Sequence, residues 1–305
     1  MIDPDFKSII EDSKGNPDIS RLDYKEAREL MNDAMLAVSG NKIDIPDVRD
    51  FSIKLDGRIL RARLYNSKKL NDGIVYFHGG GFISGSIDTH DNLCRLISME
   101  SGLKVISVDY RLAPESRFPA AVKDALDSFE YIYNKRDEFG ISGRLGTAGD
   151  SSGANIAAAL CLFSRDNKLK TPDVQVLFYP SLAPDNFSKS FMDFYNGYNL
   201  TGSAIEYFGS AYMHDKTDVL NPYFSPVLEE NFQNIPPAII ISGENDPLRD
   251  PAEAYYKKLR NNGIRAIGIR ALGMIHGFAT DFNISETAKN LVIMVSKMIP
   301  EFMKQ

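Results

Sequence analysis

Two adjacent serines lie in a glycine-framed stretch, AGDSSGA at residues 148–154. The spacing Gly-x-Ser-x-Gly is satisfied by Gly149, Ser151 and Gly153. Centring it on the second serine would require glycines at positions 150 and 154, which hold an aspartate and an alanine. The spacing is typical of a nucleophilic serine on a sharp turn between a strand and a helix, where neighbouring side chains would crowd the turn. Because RLGTAGD before it is strand-like and SGANIAAALCLF after it is helix-like, Ser151 is the candidate nucleophile.

A serine hydroxyl needs a base within hydrogen-bond reach, usually a histidine that a carboxylate orients. The chain has four histidines: His78, His90, His214 and His276. In a strand-turn-helix arrangement the acid and then the histidine follow the serine along the chain, which excludes the first two. His214 lies in an irregular stretch, whereas His276 follows the strand-like AIGIRAL. His276 is therefore the candidate base.

The acid is expected in the loop after the apolar run PAIIISG, which holds Glu244, Asp246 and Asp250. Asp250 fits a helix N-cap, with Pro251 at the first helical position and Glu253 as the reciprocal capping residue. Asp246 is therefore the predicted orienting carboxylate, and Glu244 is a minor alternative.

Acyl transfer also needs hydrogen-bond donors for the oxyanion that forms on the attacked carbonyl. Three consecutive glycines, Gly79, Gly80 and Gly81, follow the strand-like run GIVYF and one histidine. Their unhindered backbone N–H groups are predicted to point into the site, and the N–H of Ser152 is predicted to add another donor. A glycine triplet also fits a flexible loop or a phosphate cradle, but the chain has no Gly-x-x-x-x-Gly-Lys-Ser/Thr string to support nucleotide binding.

The elements that must position these residues alternate along the chain. After a helix-prone stretch to about residue 41, FSIKLDGRILRARLY predicts two strands joined at Asp56-Gly57. Six apolar runs then predict strands separated by segments of helical period: GIVYFH, KVISVDY, RLGTAGD, VQVLFYP, PAIIISG and AIGIRAL. This alternation predicts an α/β fold with a mostly parallel central sheet flanked by helices.

One region, about residues 181–226, interrupts the alternation and has no β-rich run. Ten large aromatic or Met side chains lie within its residues 187–213: Phe187, Phe191, Met192, Phe194, Tyr195, Tyr198, Tyr207, Phe208, Tyr212 and Met213. Each is predicted either to line an apolar ligand site at the carboxyl edge of the sheet or to form the insert's own core. The predicted division has four parts: an N-terminal cap segment at 1–45, the core at 46–180 and 227–305, and a cap insert at 181–226.

The composition excludes several classes of protein. With 35 Lys and Arg against 41 Asp and Glu, the formal net charge of −6 lacks the basic excess of a nucleic-acid-binding protein. The two cysteines, Cys94 and Cys161, lie in apolar helix-like segments and are predicted to be packed thiols without metal-ligand spacing. The N-terminus lacks a signal-peptide pattern, and no apolar run is long enough to cross a bilayer. The sequence therefore predicts a cytoplasmic protein without stable membrane insertion.

Taken together, the motifs resemble the hormone-sensitive-lipase-like esterases of the α/β-hydrolase fold. Five of them stand in that family's order and span about two thirds of the chain: HGGGF at 78–82, DYRLAPE at 109–115, GDSSGAN at 149–155, DPLRD at 246–250 and HGF at 276–278. The resemblance implies the α/β-hydrolase fold with a helical cap built from the N-terminal segment and the insert.

The resemblance also implies a triad of Ser151, Asp246 and His276, with no metal or organic cofactor. The expected activity is that of a serine carboxylesterase, which hydrolyses short to medium acyl-chain esters through an acyl-enzyme. The DYRLAPE motif is implied to be structural, with three charged side chains that brace the loops around the site: Asp109, Arg111 and Glu115. Relatives often pair through the last strand or the neighbouring helices, so a homodimer is expected.

Three alternatives remain open at the level of sequence. An amidase or N-deacetylase would use the same triad, because amide and ester cleavage share the acyl-enzyme. A lactone or acetyl-carbohydrate esterase would differ only in its substrate. A non-catalytic small-molecule receptor on this fold is the third, although such receptors lack a triad member and this chain has all three.

Overall fold

A computed structural model describes residues 1–13, 15, 17–183 and 187–304. Residues 14 and 16 of the predicted N-terminal cap segment, 184–186 of the predicted insert, and 305 lie outside the described residues.

The described chain forms a sheet of eight strands in the order β1-β2-β4-β3-β5-β6-β7-β8. The strands are β1 Asp47–Leu55, β2 Arg58–Asn66, β3 Gly73–Phe77, β4 Lys104–Val108, β5 Leu145–Asp150, β6 Gln175–Phe178, β7 Ala238–Asn245 and β8 Ala266–Ile275. β2 runs antiparallel to both of its neighbours, and every other adjacent pair is parallel. The hairpin predicted at Asp56-Gly57 is confirmed, since Leu55 pairs with Arg58 across it. The six strands predicted after it are confirmed as well.

Helices cover both faces of the sheet. They are α1 Pro4–Ser13, α2 Tyr24–Val38, α3 Asp91–Ser101, α4 Ala120–Asn134, α5 Ser152–Asp166, α6 Lys189–Asp193, α7 Gly202–Tyr212, α8 Arg249–Asn261 and α9 Glu286–Met303. Short 3-10 helices lie at Ile19–Arg21, Arg136–Phe139, Lys216–Leu220 and Pro226–Leu228. The apolar side chains of α1, α3 and α9 form the core on one face, and those of α4, α5 and α8 form the core on the other. The structure is thus the predicted α/β-hydrolase fold.

The burial of each layer follows its sequence pattern. In α4 the apolar stripe with helical spacing is buried, from Ala121 and Val122 to Phe129 and Ile132. α5 is apolar on nearly all sides and is buried along most of its length, because it lies between the sheet and α4. Cys94 and Cys161 are buried free thiols, as predicted. None of the described helices is long and apolar enough to cross a membrane.

Two helices outside these layers, α2 and α7, contact each other. The rings of Tyr24 and Tyr207 stack with centroids 4.8 Å apart, and Tyr207 Oη donates to the carbonyl of Leu22 at 2.8 Å. Both helices border a cavity of about 1060 Å³ that also reaches the loops after β3, β5 and β8. The carboxyl ends of the parallel strands therefore open into this cavity.

Candidate active site

The turn between β5 and α5 holds Ser151 in a backbone conformation that is rare for L-residues, with φ 52° and ψ −118°. A Cβ added to Gly153 would lie 2.0 Å from the carbonyl oxygen of Phe77. A Cβ on Gly149 would lie 2.5 Å from backbone atoms of Gly153. Only glycine fits at either position, which explains the frame around the serine in physical terms.

Ser151, His276 and Asp246 form a continuous hydrogen-bonded row. Ser151 Oγ lies 2.9 Å from His276 Nε2, and His276 Nδ1 lies 2.9 Å from Asp246 Oδ2. Asp246 is fully buried, and its other oxygen accepts from the backbone N–H of Leu248 at 2.8 Å. The three side chains follow β5, β8 and β7, so the sheet brings together residues that are far apart in sequence. This arrangement can pass the hydroxyl proton to Nε2 while the carboxylate accepts from Nδ1–H.

The other three histidines lie elsewhere. His78 is buried and stacks on Tyr110 at 4.3 Å, and burial lowers the pKa of its imidazole to about 3. His90 is buried, with Nε2 3.3 Å from Asp150 Oδ2. His214 is exposed in the insert. None of them bonds to Ser151.

The interpretation of Asp250 as a helix N-cap is wrong. α8 begins at Arg249, so Asp250 lies in the first turn of the helix, one residue inside it. Its carboxylate accepts from the backbone N–H of Ser190 at 2.8 Å, and Ser190 Oγ accepts from the N–H of Asp250 at 3.0 Å. A tertiary contact to α6 therefore replaces the local cap.

The remaining acidic side chains of this loop also make other contacts. Glu253, predicted as the reciprocal capping residue, makes two hydrogen bonds of 2.7 Å to the guanidinium of Arg270 on β8. Glu244 Oε2 accepts from the backbone N–H of Gly273 at 2.8 Å. Among the three candidate acids, only Asp246 bonds to His276.

The predicted oxyanion donors separate into two groups. The N–H of Gly79 donates to Asp150 Oδ1 at 2.9 Å, so this amide is already engaged and its inclusion in the predicted set is corrected here. The N–H groups of Gly80, Gly81 and Ser152 donate no hydrogen bond within the described chain, and all three residues line the cavity beside Ser151. Gly80 and Gly81 have φ of +120° and +62°, values that glycine adopts without strain.

Asp150, immediately before the nucleophile candidate, anchors the glycine loop. Its buried carboxylate accepts from Tyr76 Oη at 2.7 Å and from the N–H of Gly79, and it lies beside His90. Although burial alone would raise the pKa of Asp150, the contacts with His90, Tyr76 and Gly79 hold it below its usual value. No role for Asp150 was predicted from the sequence, although its place inside the GDSSGAN motif was a usable signal.

The charged residues of the DYRLAPE motif brace the surrounding loops, as the resemblance implied. Asp109 accepts at 2.6 Å from a backbone N–H in the loop that follows β3. The guanidinium of Arg111 bonds to the buried carboxylate of Asp124 on α4 at 2.8–3.1 Å. Glu115 bonds to Arg28 of α2 at 2.6 and 3.0 Å. None of these three carboxylate and guanidinium groups reaches the serine.

The lining of the cavity differs from the aromatic lining considered from the sequence. Three of the ten large insert side chains line it: Tyr198, Phe208 and Met213. Phe191 and Tyr212 are buried in the core, and Phe187 and Met192 are exposed. One side of α2 adds five apolar side chains to the wall: Leu30, Met31, Ala34, Met35 and Val38. Their helical spacing was a signal in the sequence, but nothing there indicated that α2 faces the site.

A polar corner of the cavity was also missed. It consists of Asn199, Thr280 and Asp281, which surround Gly277 next to the candidate base. Asn199 Nδ2 donates to the carbonyl of His276 at 3.1 Å, and therefore connects the insert to the histidine loop.

Comparison with known proteins agrees with this fold. A model of the α/β-hydrolase-fold family matches residues 74–280. The chain is similar to an arylesterase of Saccharolobus solfataricus, with 36% identity covering 94% of each chain. It is also 38% identical to the carboxylic ester hydrolase LipN of Mycobacterium tuberculosis, covering 86% of this chain and 72% of the relative. The solved structure of ESTFA in its iron-lacking apo form aligns with a TM-score of 0.95 and 53% identity, covering 99% of this chain and 100% of the other. The chain therefore belongs to the hormone-sensitive-lipase-like carboxylesterases of the α/β-hydrolase fold.

Proposed function

We propose that this carboxylic ester hydrolase works through an acyl-enzyme on Ser151, with His276 as general base and acid and Asp246 as the orienting carboxylate. The observation that carries the proposal is the hydrogen-bonded row from Ser151 Oγ through His276 to Asp246, with both bonds at 2.9 Å. The unengaged N–H groups next to the serine support it further.

In the acylation step, Ser151 Oγ attacks the ester carbonyl as His276 Nε2 takes its proton. Asp246 holds the tautomer with the proton on Nδ1 and stabilises the imidazolium that forms. The carbonyl oxygen becomes an oxyanion, which accepts from the N–H groups of Gly80, Gly81 and Ser152. His276 then gives its proton to the alcohol oxygen, the ester C–O bond breaks, and the alcohol leaves.

In the deacylation step, water replaces the alcohol. His276 takes one water proton as the oxygen attacks the acyl carbon, and the same backbone N–H groups hold the second oxyanion. Collapse breaks the bond to Ser151 Oγ, and the serine regains its proton from His276. The carboxylic acid is released, and the enzyme returns to its starting state.

Short to medium acyl esters are the proposed substrates. The cavity of about 1060 Å³ lies just above the roughly 300–1,000 Å³ that is usual for small-molecule sites, and α2 supplies it with an apolar wall. We propose that residues 1–45 and 181–226 form the cap that encloses it, since α2 and α7 lie in these two segments and contact each other. Residues 14, 16 and 184–186 of these segments lie outside the described residues.

An iron site is not part of the proposal. The name of the similar ESTFA structure refers to an iron-lacking apo form, which raises the question of whether this chain holds iron. Among the described residues, no three His, Cys, Asp or Glu side chains are grouped so that they could hold a metal ion. The described side chains therefore do not fit such a site, and no step above passes through a metal.

The test is the burst and steady-state hydrolysis of p-nitrophenyl esters from acetate to palmitate. Ser151→Ala removes the nucleophile and is expected to lower kcat on the order of 10⁴-fold or more. Ser152→Ala is the matched control, because its backbone N–H is retained, and it is expected to keep most of the turnover. Rates are expected to fall from medium to long acyl chains.

Two outcomes would contradict the proposal. Turnover by Ser151→Ala close to that of the parent would exclude the serine as nucleophile. Comparable rates on acetate and palmitate would exclude the short to medium preference. The cytoplasmic location and the homodimer stay predictions from the sequence.

A further inference from the structure

Besides Asp150, which anchors the glycine loop, a second buried carboxyl group lines the cavity without a role in the proposed reaction. Asp281 follows His276 by five residues, is 9% exposed and lines the cavity. The orienting position on His276 Nδ1 is already taken by Asp246 at 2.9 Å. Asp281 therefore has no place in the triad, and its position in an otherwise largely apolar cavity needs another explanation.

The hydrogen bonds of the corner leave one oxygen of this carboxyl group without a partner. Asp281 Oδ1 lies 3.3 Å from Thr280 Oγ1, whose single hydrogen is directed to the carbonyl of Gly277 at 2.7 Å. Asp281 Oδ2 has no hydrogen-bond partner among the described residues. This oxygen therefore faces the cavity, where a ligand or a water molecule can pair with it.

The free oxygen borders a small gap beside the α-carbon of Gly277. A Cβ built on that glycine would lie 3.6 Å from Asp281 Oδ2 and 3.4 Å from Asn199 Nδ2, so the two polar atoms face the same space. Asn199 uses one N–H for the carbonyl of His276 and has a second N–H to donate. The corner thus offers one acceptor and one donor beside Gly277, a pair that matches an alcohol hydroxyl.

The protonation of the carboxyl group favours a neutral ligand over a cation. Burial raises the pKa of Asp281 to about 7, so the group is largely neutral in mildly acidic solution. The proton of the neutral form can lie on Oδ1 and be donated to the remaining lone pair of Thr280 Oγ1. Oδ2 is then a carbonyl-type acceptor, and it remains an acceptor when the group ionises.

The corner lies on the side of the site where the alcohol leaves. His276 must reach the alcohol oxygen in order to protonate it, so the alcohol group lies against the loop that carries the histidine. Gly277, Thr280 and Asp281 belong to this loop. The acyl chain then lies in the remaining part of the cavity, whose lining includes the apolar side chains of α2.

We propose that Asp281 and Asn199 form a subsite for a hydroxyl group on the alcohol part of the ester, so that the enzyme favours esters of diols and other polyols. The substrate hydroxyl donates to Asp281 Oδ2 and accepts from Asn199 Nδ2. This inference rests on the proposed function, because it concerns the substrate of the same site.

The experiment compares matched esters that differ by one hydroxyl. The series compares 2-hydroxyethyl, 3-hydroxypropyl and 4-hydroxybutyl acetates with ethyl, propyl and butyl acetates, respectively. The release of acid is followed by pH-stat. The readout is the ratio of kcat/KM for the hydroxylated and the plain ester within each enzyme. For at least one chain length, Asp281→Leu is expected to lower this ratio about tenfold, as expected for one lost hydrogen bond in a buried site.

Controls separate the subsite from general damage. Met35→Leu, on the apolar wall, is expected to leave the ratio as in the parent, and Asp281→Asn, which keeps an acceptor oxygen, is expected to lower it less than Asp281→Leu. If the leucine variant does not fold, Asp281→Ala repeats the measurement. Equal ratios in the parent and in the folded variants at all three lengths would overturn the subsite. Ethyl 3-hydroxybutyrate and ethyl butyrate differ by a hydroxyl on the acyl part. If the Asp281 variants change the ratio of kcat/KM for this pair alone, the subsite does not lie on the alcohol side.

Failure of the proposed function looks different. In that case the parent hydrolyses neither the plain nor the hydroxylated esters, or Ser151→Ala keeps its turnover. A parent that hydrolyses the plain esters through Ser151, with ratios that Asp281 does not influence, contradicts the subsite alone.

Discussion

At the scale of single residues, Ser151 shows how reactivity and backbone strain coincide. Its φ of 52° with ψ of −118° is a conformation that costs a non-glycine residue about 1–3 kcal/mol. The turn persists because Gly149 and Gly153 let β5 and α5 approach closely, and because the N–H of Ser151 donates to the carbonyl of Phe178 at 2.9 Å. The packing of two elements therefore holds the hydroxyl where the base can reach it.

This strain predicts a difference between two inactive variants. Ser151→Gly relieves the strained φ and ψ, whereas Ser151→Ala keeps it. Glycine costs about 0.5–1 kcal/mol of chain entropy, so we expect the glycine variant to be more stable than the alanine variant by about 1 kcal/mol. Urea unfolding of the two proteins measures the difference. An alanine variant that is equally or more stable would show that the turn is not strained.

Asp281 predicts a pH dependence of stability. The pKa of its carboxyl group is raised by burial to about 7 in the folded protein, against 3.8 for an ordinary aspartate side chain. The folded state therefore holds a proton that the unfolded chain loses between about pH 4 and pH 7. The free energy of unfolding of the parent falls over this range as pH rises, because the folded state must finally bury a charge. The titratable side chains that act on Asp281 or are acted on by it are His276, His90, Asp150 and Tyr179.

Removal of the Asp281 carboxyl group should abolish its contribution to the pH dependence of stability. We expect the difference in free energy of unfolding between Asp281→Asn and the parent to rise by about 3 kcal/mol, in favour of the variant, from pH 5 to pH 8. The raised pKa acts over about two of these pH units, and each contributes about 1.4 kcal/mol. Asp281→Leu should show the same pH-dependent gain, whatever its stability at pH 5. Urea unfolding at both pH values tests this, and a difference from the parent that does not change with pH would contradict it.

At the scale of elements, Arg28 connects α2 to the core. Its Nε donates to the carbonyl of Ile83 at 2.5 Å, next to the glycine loop, and Nη2 donates to the carbonyl of Ala113 at 2.9 Å. The same guanidinium pairs with Glu115, which is 63% exposed. Two carbonyl contacts and one ion pair thus fix α2 over the cavity.

The carbonyl bonds should contribute more than the exposed ion pair. Arg28→Met removes both kinds of contact and is expected to lower the free energy of unfolding by about 1–2 kcal/mol and to raise KM several-fold. Glu115→Gln removes only the exposed charge pair and is expected to cost less than about 1 kcal/mol. Thermal or urea unfolding and steady-state kinetics of the two variants test the ranking. If the two variants lose the same free energy of unfolding, the ion pair and not the carbonyl bonds accounts for the stabilisation.

Much of the fold was predictable from local pattern. The hairpin at Asp56-Gly57 and the six later strands follow from turn chemistry and apolar runs, and the site candidates Ser151, His276 and Asp246 follow from their places after strands. These features depend on short segments, whose preferences agree with the final fold.

Features that depend on contacts between distant segments were missed. The cap interpretation of Asp250 was wrong because Ser190, 60 positions earlier, binds its carboxylate. Gly79 was counted as a free donor because nothing in the sequence places Asp150 opposite its amide. The apolar wall of α2 was missed for the same reason, since the position of α2 depends on its contacts with α7, Ile83 and Ala113.

At the scale of the whole molecule, the sheet has two edges, β1 and β8. Edge strands present unpaired backbone groups that favour pairing with a second copy. β8 exposes Leu272 to 69%, which suits the homodimer that the sequence analysis expects at this strand.

The dimer prediction is tested by sedimentation equilibrium. The parent is expected at twice the monomer mass, and Leu272→Lys is expected to shift it toward the monomer, because lysine on an edge opposes strand pairing. Ile59→Lys is the matched control: Ile59 is similarly exposed, at 67%, but lies on β2 between two strands. A parent that is monomeric at all concentrations would contradict the prediction, and so would equal effects of the two lysines.

The wall that α2 gives to the cavity has a consequence for how such an enzyme diversifies. In the proposed reaction, α2 supplies neither the nucleophile, the base, the acid nor an oxyanion donor, yet it borders the space in which the substrate lies. Substitutions at Met31 or Met35 can therefore exchange one acyl preference for another while the chemistry stays intact. Natural evolution or a laboratory selection can therefore change the preferred ester through substitutions in one helix, without passing through an inactive variant.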